Sequence, residues 1–419
     1  MSSDCPTQVR RRRVFYIPGY DPVHPRRYRE LYRKEGAAQA EISGYEIDLK
    51  PKTAEGPYGW HVQSAIAGTV SDADFDVLVW SDIVRDSMAT GILATYLQLL
   101  RTAWIYISSG TLRRLMWLRK GPVIAALYPV GMLILQLVLA GLVFWVVWSA
   151  TRWSLGAVAQ FFSAAPFSVL TLALSIAAGG VAAFGVLRWF KSKDNKFFAY
   201  YLMHDYAYSA QLSGANPKEL EQRLAEFTAT IASAMQSDVD EVLVVGHSSG
   251  AHLAVSVLAD LIRAGEVPED GPVLAFLSLG QVVPMVSFLP RAHRLRADLN
   301  YLSTRDELVW VDVTAPGDGC AFALCDPVAV SGVAGTGKRW PLVFSAAFTQ
   351  SLSPARWKEL RWRFFRLHFQ YLCAFDQPKD YDYFQITAGP LTLAERYGDR
   401  APSKSRIERA ASKHTSVAA

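Results

Sequence analysis

The sequence predicts an α/β fold in which helices cover both faces of a mostly parallel sheet and a two-helix transmembrane hairpin interrupts the chain. Short apolar runs alternate with helical stretches in both halves of the 419 residues. Between these halves lies a long apolar region without acidic residues. The composition, 51% hydrophobic, 12% aromatic and 19% charged, excludes a disordered chain or a coiled coil.

The predicted strands are short runs rich in Val, Leu and Phe, mostly bounded by Gly, Pro or Asp. Continuous apolar runs are typical of strands that are covered on both faces. A helix, with Asn216 as its cap and Pro217 in its first turn, precedes the fourth run, and this alternation favours a parallel sheet. The runs are Val14–Ile17, Tyr45–Leu49, Phe75–Trp80, Val242–Val245, Val273–Leu279, Leu308–Val313 and Leu342–Phe348.

Two uncharged segments predict membrane-spanning helices. Residues 121–151 and 153–187 carry no formal charge, and each is longer than the roughly 20 apolar residues that cross a bilayer. We expect the second span to begin near Phe167, which leaves residues 149–165 as a short turn. The alternative is a pair of buried helices in a soluble protein.

Basic residues around the hairpin predict its orientation. RRLMWLRK precedes the first span and RWFKSKDNK follows the second, whereas the turn carries only Arg152. The positive-inside rule therefore predicts an integral membrane protein with two transmembrane helices, whose soluble domain and both termini are cytoplasmic. The expected partner is the lipid bilayer, not nucleic acid. The small-residue run SIAAGGVAAFG is typical of a helix-packing face, so a homo-oligomer through the hairpin is compatible with the sequence.

The hairpin divides the chain into five predicted segments. Residues 1–13 form a basic N-terminal segment whose arginines are expected to face solvent or anionic lipid. Residues 14–120 form the first part of the α/β domain and include a membrane-proximal helix. Residues 121–190 form the hairpin, residues 191–398 form the second part of the domain, and residues 399–419 are expected to be a flexible tail.

The stretch EVLVVGHSSGAHLAV carries the clearest chemical signal. An apolar run ends at Val245, GHSSG follows, and a helix begins at once, which is G-x-S-x-G in a strand–turn–helix context. Gly246 and Gly250 permit a tight nucleophile elbow, which also contains His247. This turn would present Ser248 at a helix N-terminus, where free N–H groups favour a developing oxyanion. The alternative is a Gly/Ser-rich helix start without chemistry.

On this motif the chain resembles the α/β-hydrolase superfamily of serine esterases and lipases, over roughly residues 10–85 and 197–398. The resemblance implies an α/β-hydrolase-like domain with Ser248 as nucleophile, followed along the chain by an acid and then a histidine. The hairpin is a departure from the simplest members.

Four histidines follow Ser248, and one of them is the predicted base. His252 lies on the elbow helix, and His293 precedes the strand expected to supply the acid. His414 lies in the tail. His368 follows the last strand-like run, so we expect it to accept the serine proton, although its neighbours look helical and the family histidine usually lies on a loop.

Two aspartates are candidates for the acid. Both follow the run Leu308–Val313, whereas Asp312 is expected inside the strand. Asp318, in a PGDG turn, is preferred, and Asp326, in CDPV, is the alternative. Each could also be an ordinary turn aspartate that accepts hydrogen bonds from its own backbone.

The remaining predicted site groups are backbone amides. FYIPGYDP follows the first strand, so the N–H groups of Gly19 and Tyr20 are expected to join that of Ser249 in an oxyanion hole. The alternative is an ordinary Pro-Gly turn. No metal or organic cofactor is expected. GVAGTGKR is not predicted to be a phosphate-binding loop, because Arg339 replaces the hydroxyl residue that such a loop needs and an apolar strand follows instead of a helix.

Together these features predict a membrane-anchored serine hydrolase that cleaves acyl esters, lipid-like in character, through a Ser-His-Asp triad and an acyl-enzyme. An acyltransferase with the same triad is an alternative. A second alternative is a non-catalytic, hydrolase-like membrane scaffold.

Overall fold

The computed structural model describes residues 8–52, 55–161 and 169–418. The chain divides into two units, of which the first contains the β-sheet and the second contains the two long apolar helices. The first unit comprises Met1–Asp86, Ile105–Val123 and Ser209–Ala419, and the second comprises Ser87–Trp104 and Ile124–Tyr208. The second unit is therefore larger than the predicted hairpin, because it includes segments on either side of it.

Eight strands form one sheet in the first unit. They are β1 (Arg11–Ile17), β2 (Glu46–Pro51), β3 (Gly59–Ile66), β4 (Thr69–Val77), β5 (Glu241–His247), β6 (Val273–Leu279), β7 (Leu308–Thr314) and β8 (Leu342–Ser345). Their order is β2-β3-β4-β1-β5-β6-β7-β8. The pairs from β4 through β1 to β8 are parallel, and β2, β3 and β4 pair antiparallel. The predicted α/β class with a mostly parallel sheet is confirmed.

The other described elements are helices. They are α1 (Arg26–Ser43), α2 (Ser81–Met88), α3 (Ile92–Ser108), α4 (Thr111–Leu118), α5 (Lys120–Phe161), α6 (Val169–Ser192), α7 (Asp194–Phe197), α8 (Ala199–Ala210), α9 (Lys218–Met235), α10 (Ser249–Arg263), α11 (Val283–Ser287), α12 (His293–Leu302), α13 (Pro327–Val330), α14 (Phe348–Ser351), α15 (Pro354–Leu360), α16 (Phe364–His368), a 3-10 turn (Gln370–Leu372), α17 (Tyr383–Ala388) and α18 (Leu393–Tyr397). The predicted cap of α9 is wrong, because the Asn216 amide donates to Glu221 instead.

The core forms around the central parallel strands. Every residue of β5 is buried, and its centre, Val242–Val245, is the continuous apolar run typical of a strand covered on both faces. Helix α10 packs against β5 and against α9 and α12. Elsewhere in the core Trp60 stacks on Phe75, with a ring separation of 4.9 Å, and Tyr32 packs beside both. This rigid sheet positions the loops at the carboxyl ends of its parallel strands, the usual site of ligands in such folds.

Two helices of the second unit, α5 and α6, are long and apolar enough to cross a membrane. Only 17% and 11% of their most apolar windows are buried. The predicted turn at 149–165 is wrong in its first part, because α5 continues to Phe161, while the rest of that turn and Phe167 lie outside the described residues. A Cβ at Gly179 of α6 would lie 2.9 Å from the Phe144 ring, so the small-residue run lets these two helices approach closely.

The N-terminal arginines are not all solvated. Strand β1 begins at Arg11, and Arg12 is only 2% exposed and pairs with Glu241 at 2.5 Å. Arg13 pairs with Asp76 on β4 at 2.6 Å. The expectation that these arginines face solvent or lipid is therefore wrong for Arg12, because Glu241 on the neighbouring strand β5 binds it inside the domain.

The C-terminal segment is also ordered against the first unit. The Ile407 amide donates to the Leu324 carbonyl at 2.7 Å, and the Asp326 amide donates to the Ile407 carbonyl at 2.9 Å. Ala411, which is 1% exposed, donates its amide to Val330 at 2.9 Å. The prediction of a flexible tail over 399–419 is wrong for these residues, because backbone hydrogen bonds attach them to the loop after β7.

Candidate functional site

Ser248 lies at the sharp turn between β5 and α10. Its backbone has φ 57° and ψ −122°, in a region that a residue with a side chain seldom occupies. The Ser248 amide donates to the Leu279 carbonyl at the end of β6 at 2.9 Å, and the residue is half-buried. The turn therefore holds the hydroxyl at the carboxyl edge of the sheet in a strained conformation.

Two glycines make this turn sterically possible. A Cβ at Gly250 would lie 2.0 Å from the Ile17 carbonyl oxygen of β1. A Cβ at Gly246 would lie 2.7 Å from the Ala251 Cα. Both distances are far below van der Waals contact, so the G-x-S-x-G spacing corresponds to a real close approach of strand and helix.

The loop after β1 lies directly against Ser248. A Cβ at Gly19 would be 3.0 Å from the Ser248 Cβ and 3.4 Å from its Oγ. Trp80 holds this loop, since its Nε1–H donates to the Pro18 carbonyl at 3.0 Å and its ring meets that of Tyr20 edge-on. The Ser249 amide, the first of α10, has no acceptor within the helix. The predicted oxyanion residues therefore flank the serine on both sides.

His368 and Asp318 form a buried hydrogen-bonded pair. His368 is the last residue of α16, and its Nδ1 lies 2.7 Å from the Asp318 Oδ2. Asp318 also accepts the Cys320 amide at 2.8 Å and the Tyr371 hydroxyl at 3.1 Å. Burial raises the pKa of Asp318, but the electrostatic interaction and the hydrogen bond with His368, together with these two donors, outweigh it and hold the pKa below its usual range.

His368 lies beside the elbow through two contacts. The His247 Nε2–H donates to the His368 carbonyl at 3.0 Å, with the rings 4.9 Å apart. A Cβ at Gly280, immediately after β6, would lie 3.2 Å from the His368 Cε1. Among the described residues, no hydrogen bond joins the Ser248 hydroxyl to the His368 ring; such bonds often form only with substrate bound.

His247 contacts His368, whereas the sequence predicts it only as part of the elbow. Burial lowers its pKa to about 3, with a smaller contribution from His368, so the ring is neutral at physiological pH. A neutral ring that donates from Nε2 fixes the backbone of His368 relative to the elbow. The sequence holds no signal for this contact, because it joins residues 121 positions apart.

Asp326, the alternative acid, lies elsewhere. Its carboxylate caps α13 by accepting the amides of Val328 and Ala329, both at 3.0 Å. Its other oxygen faces the Lys338 ammonium at 2.6 Å. The structure thus brings Asp318, and not Asp326, to His368.

Asp312 lies inside β7, as expected, and is completely buried. It accepts the Ser278 hydroxyl at 2.6 Å, and Ser278 in turn accepts the Trp310 indole N–H at 2.9 Å. Burial raises the pKa of Asp312 to about 8, despite the Ser278 hydrogen bond. The carboxyl group is therefore mostly protonated at neutral pH.

Asp312 is expected to make stability depend on pH. The pKa of Asp312 in the folded state exceeds its unfolded value of about 3.9. Its contribution to the free energy of unfolding is therefore complete below pH 4 and falls by roughly 1 kcal/mol per pH unit as the pH rises to about 8. In thermal unfolding from pH 5 to pH 8.5, the wild type should lose stability as Asp312 ionises, whereas Asp312→Asn should not. The melting temperature of the variant should therefore rise steadily relative to that of the wild type. A constant difference would contradict the buried protonated state.

In the described part of the chain, one group of three side chains of the types that can bind a metal comes together. These are Asp318, Cys320 and His368, whose potential ligand atoms lie within 4.8 Å of one another. The direct 2.7 Å contact between Asp318 and His368 occupies the space where an ion would lie. Burial also raises the pKa of the Cys320 thiol, which opposes the thiolate that metals bind. The geometry favours a hydrogen-bonded Asp-His pair.

Comparisons with known proteins identify no relative. No protein-family model matches the chain, no curated protein matches it, and no solved structure matches it. The chemical interpretation therefore depends on the side chains themselves. Ser248 lies in a strained elbow, His368 and Asp318 lie beside it, and the loop of Gly19 lies against it.

Proposed function

We propose that the protein is a membrane-associated serine hydrolase that cleaves acyl esters of lipid-like molecules. The observation that carries this proposal is the 2.7 Å hydrogen bond between Asp318 and His368, beside a serine with φ 57°. A carboxylate on Nδ1 favours the tautomer whose Nε2 is free to accept a proton. That is the proton acceptor a serine nucleophile requires.

In the first half-reaction the Ser248 Oγ attacks the ester carbonyl carbon and its proton passes to the His368 Nε2. Asp318 stabilises the resulting imidazolium through the Nδ1–H. The amides of Ser249 and of the Gly19–Tyr20 loop donate to the oxyanion. The bond to the leaving alcohol then breaks, and the alcohol takes the proton from Nε2.

In the second half-reaction water attacks the acyl-enzyme. His368 accepts a proton from this water, the bond between Ser248 and the acyl carbon breaks, and the proton returns to the serine oxygen. The products are a carboxylic acid and the regenerated enzyme. The apolar helices α5 and α6 support a substrate that resides in the bilayer, and the basic residues that flank them support a cytoplasmic location for the site.

A fluorophosphonate probe tests the proposal on the full chain in phospholipid nanodiscs. We expect wild type to be labelled stoichiometrically, and Ser248→Ala to be unlabelled. Ser256→Ala is the control, because this serine lies two turns later on the same helix α10 and should remain labelled when its melting temperature matches that of the wild type. Hydrolysis of a water-soluble short-chain ester should follow the same pattern. Folded wild type without labelling, or equal labelling of Ser248→Ala, would favour the non-catalytic scaffold.

A further inference from the structure

A basic and aromatic surface lies next to the candidate site. It lies between the end of α15 and the first residues of α16, and comprises five exposed residues: Arg361, Trp362, Arg363, Phe364 and Arg366. The Trp362 side chain is 72% exposed and that of Phe364 49%. Large rings with this much exposure on a soluble unit are typical of a binding surface, and here they alternate with arginines.

The charge of this surface is strongly positive. Residues 354–366 contain five cations and one acid, which leaves a net charge of +4 (five minus one). Glu359 is shared among Arg356 at 2.9 Å, Arg363 at 3.3 Å and Arg366 at 3.4 Å, so one carboxylate faces three guanidinium groups. Most of the positive charge is therefore available to an anionic partner.

The surface adjoins the residues of the proposed reaction. Arg366 lies two positions before His368 on the same helix. The Phe364 ring packs against Gly319, where a Cβ would lie 3.4 Å from the ring, and Gly319 follows Asp318 directly. Whatever binds this surface is held beside the Asp-His pair.

We propose that this surface binds the anionic headgroups of a phospholipid bilayer. Arginines form paired hydrogen bonds with phosphate, and Trp and Phe side chains partition into the region between headgroups and acyl chains. The candidate membrane helices belong to the same polypeptide, and a bilayer that they cross would be at high local concentration for this surface. The inference deepens the proposed function, since it delivers bilayer esters to the site, but the binding itself does not require catalysis.

Hydroxyl-radical footprinting of the full chain in nanodiscs tests the binding. One sample contains phosphatidylcholine alone and the other contains added phosphatidylglycerol. We expect oxidation of Trp362 to be several-fold slower with phosphatidylglycerol. Trp340 is the internal reference, because it is half-buried and its indole N–H bonds to the Arg305 carbonyl, outside this surface.

A matched pair of triple variants isolates the charge. Arg361→Gln/Arg363→Gln/Arg366→Gln is expected to lose the effect of phosphatidylglycerol, because each basic residue at an anionic surface contributes about fivefold to binding. The control, Lys50→Gln/Lys218→Gln/Lys404→Gln, removes the same charge from three exposed lysines elsewhere and should keep the protection. Equal Trp362 oxidation in both lipids, or protection that survives the arginine variant, overturns the proposal.

Activity separates this proposal from the preceding one. The arginine variant should hydrolyse a water-soluble ester as the wild type does, but should hydrolyse esters in anionic nanodiscs several-fold more slowly. If Ser248 is not labelled while Trp362 is protected, the reaction is refuted and the lipid surface stands. If labelling occurs without protection, the surface is refuted and the reaction stands.

Discussion

Asp318→Asn is expected to lower kcat for ester hydrolysis by about 10⁴-fold while leaving the fold intact. Asp318 accepts hydrogen bonds from His368, Tyr371 and the Cys320 amide. An amide at this position can present its NH₂ group to Nδ1 and thereby favour the tautomer in which Nε2 carries the hydrogen. His368 could then no longer accept the serine proton. Initial rates with a water-soluble ester, above and below neutral pH, measure the loss.

Asp326→Asn is the matched control for this change. It makes the same substitution in the other candidate acid, which caps α13 and pairs with Lys338. Asparagine also caps helices well, so we expect kcat within about threefold of the wild type. Similar losses in both variants, or a larger loss in Asp326→Asn, would contradict the role of Asp318. The low pKa of Asp318 also predicts that its protonation does not set the acid limb of the wild-type pH profile.

From the sequence, only those parts of the site could be predicted that depend on chain order or on neighbouring residues. The G-x-S-x-G spacing identifies Ser248 because the glycines have a local steric cause, seen in the approach of Gly250 to Ile17. It could not decide between Asp318 and Asp326, since both follow the same strand in turn-forming contexts. The choice depends on how the loop after β7 folds back, where Asp318 meets Tyr371 and His368. The catalytic roles stay predictions.

The strands of the sheet could be predicted where burial of both faces requires a continuous apolar run. Strand β3 cannot be predicted in this way, because its sequence, GWHVQSAI, alternates between buried and half-buried positions and contains polar residues. The two ends of the chain differ from their prediction for another reason. Local composition marks Arg12 and the segment around Ile407 as solvated, but their partners, Glu241 and Leu324, lie far away in sequence.

Removing one partner of the buried ion pair of Arg12 and Glu241 is expected to destabilise the fold strongly, because the other charge would stay buried without compensation. Both side chains are at most 2% exposed. Arg12 donates to Glu241 at 2.5 Å and to the carbonyls of Gly389 and Leu391, both at 2.7 Å, while Glu241 accepts the Leu393 amide at 2.7 Å. The pair therefore joins β1 and β5 to the segment before α18.

Glu241→Gln should lower the free energy of unfolding by about 3–5 kcal/mol, because it leaves the Arg12 guanidinium buried without a counter-charge. At a few degrees per kcal/mol this corresponds to a drop of roughly 5–15 °C in the melting temperature of the detergent-solubilised chain. The double variant Arg12→Met/Glu241→Met should recover most of the loss, since a packed apolar pair has no charge to desolvate.

Asp238→Asn provides the comparison with an exposed pair. Asp238 bonds to Arg11, and their side chains are 87% and 54% exposed, so solvent screens the interaction and the expected change is below about 1 kcal/mol. A melting temperature of Glu241→Gln within 2 °C or so of that of Asp238→Asn would contradict the buried pair. Because β1 and β5 carry this pair at the end opposite Ser248, the surviving folded fraction of each variant should retain wild-type kcat.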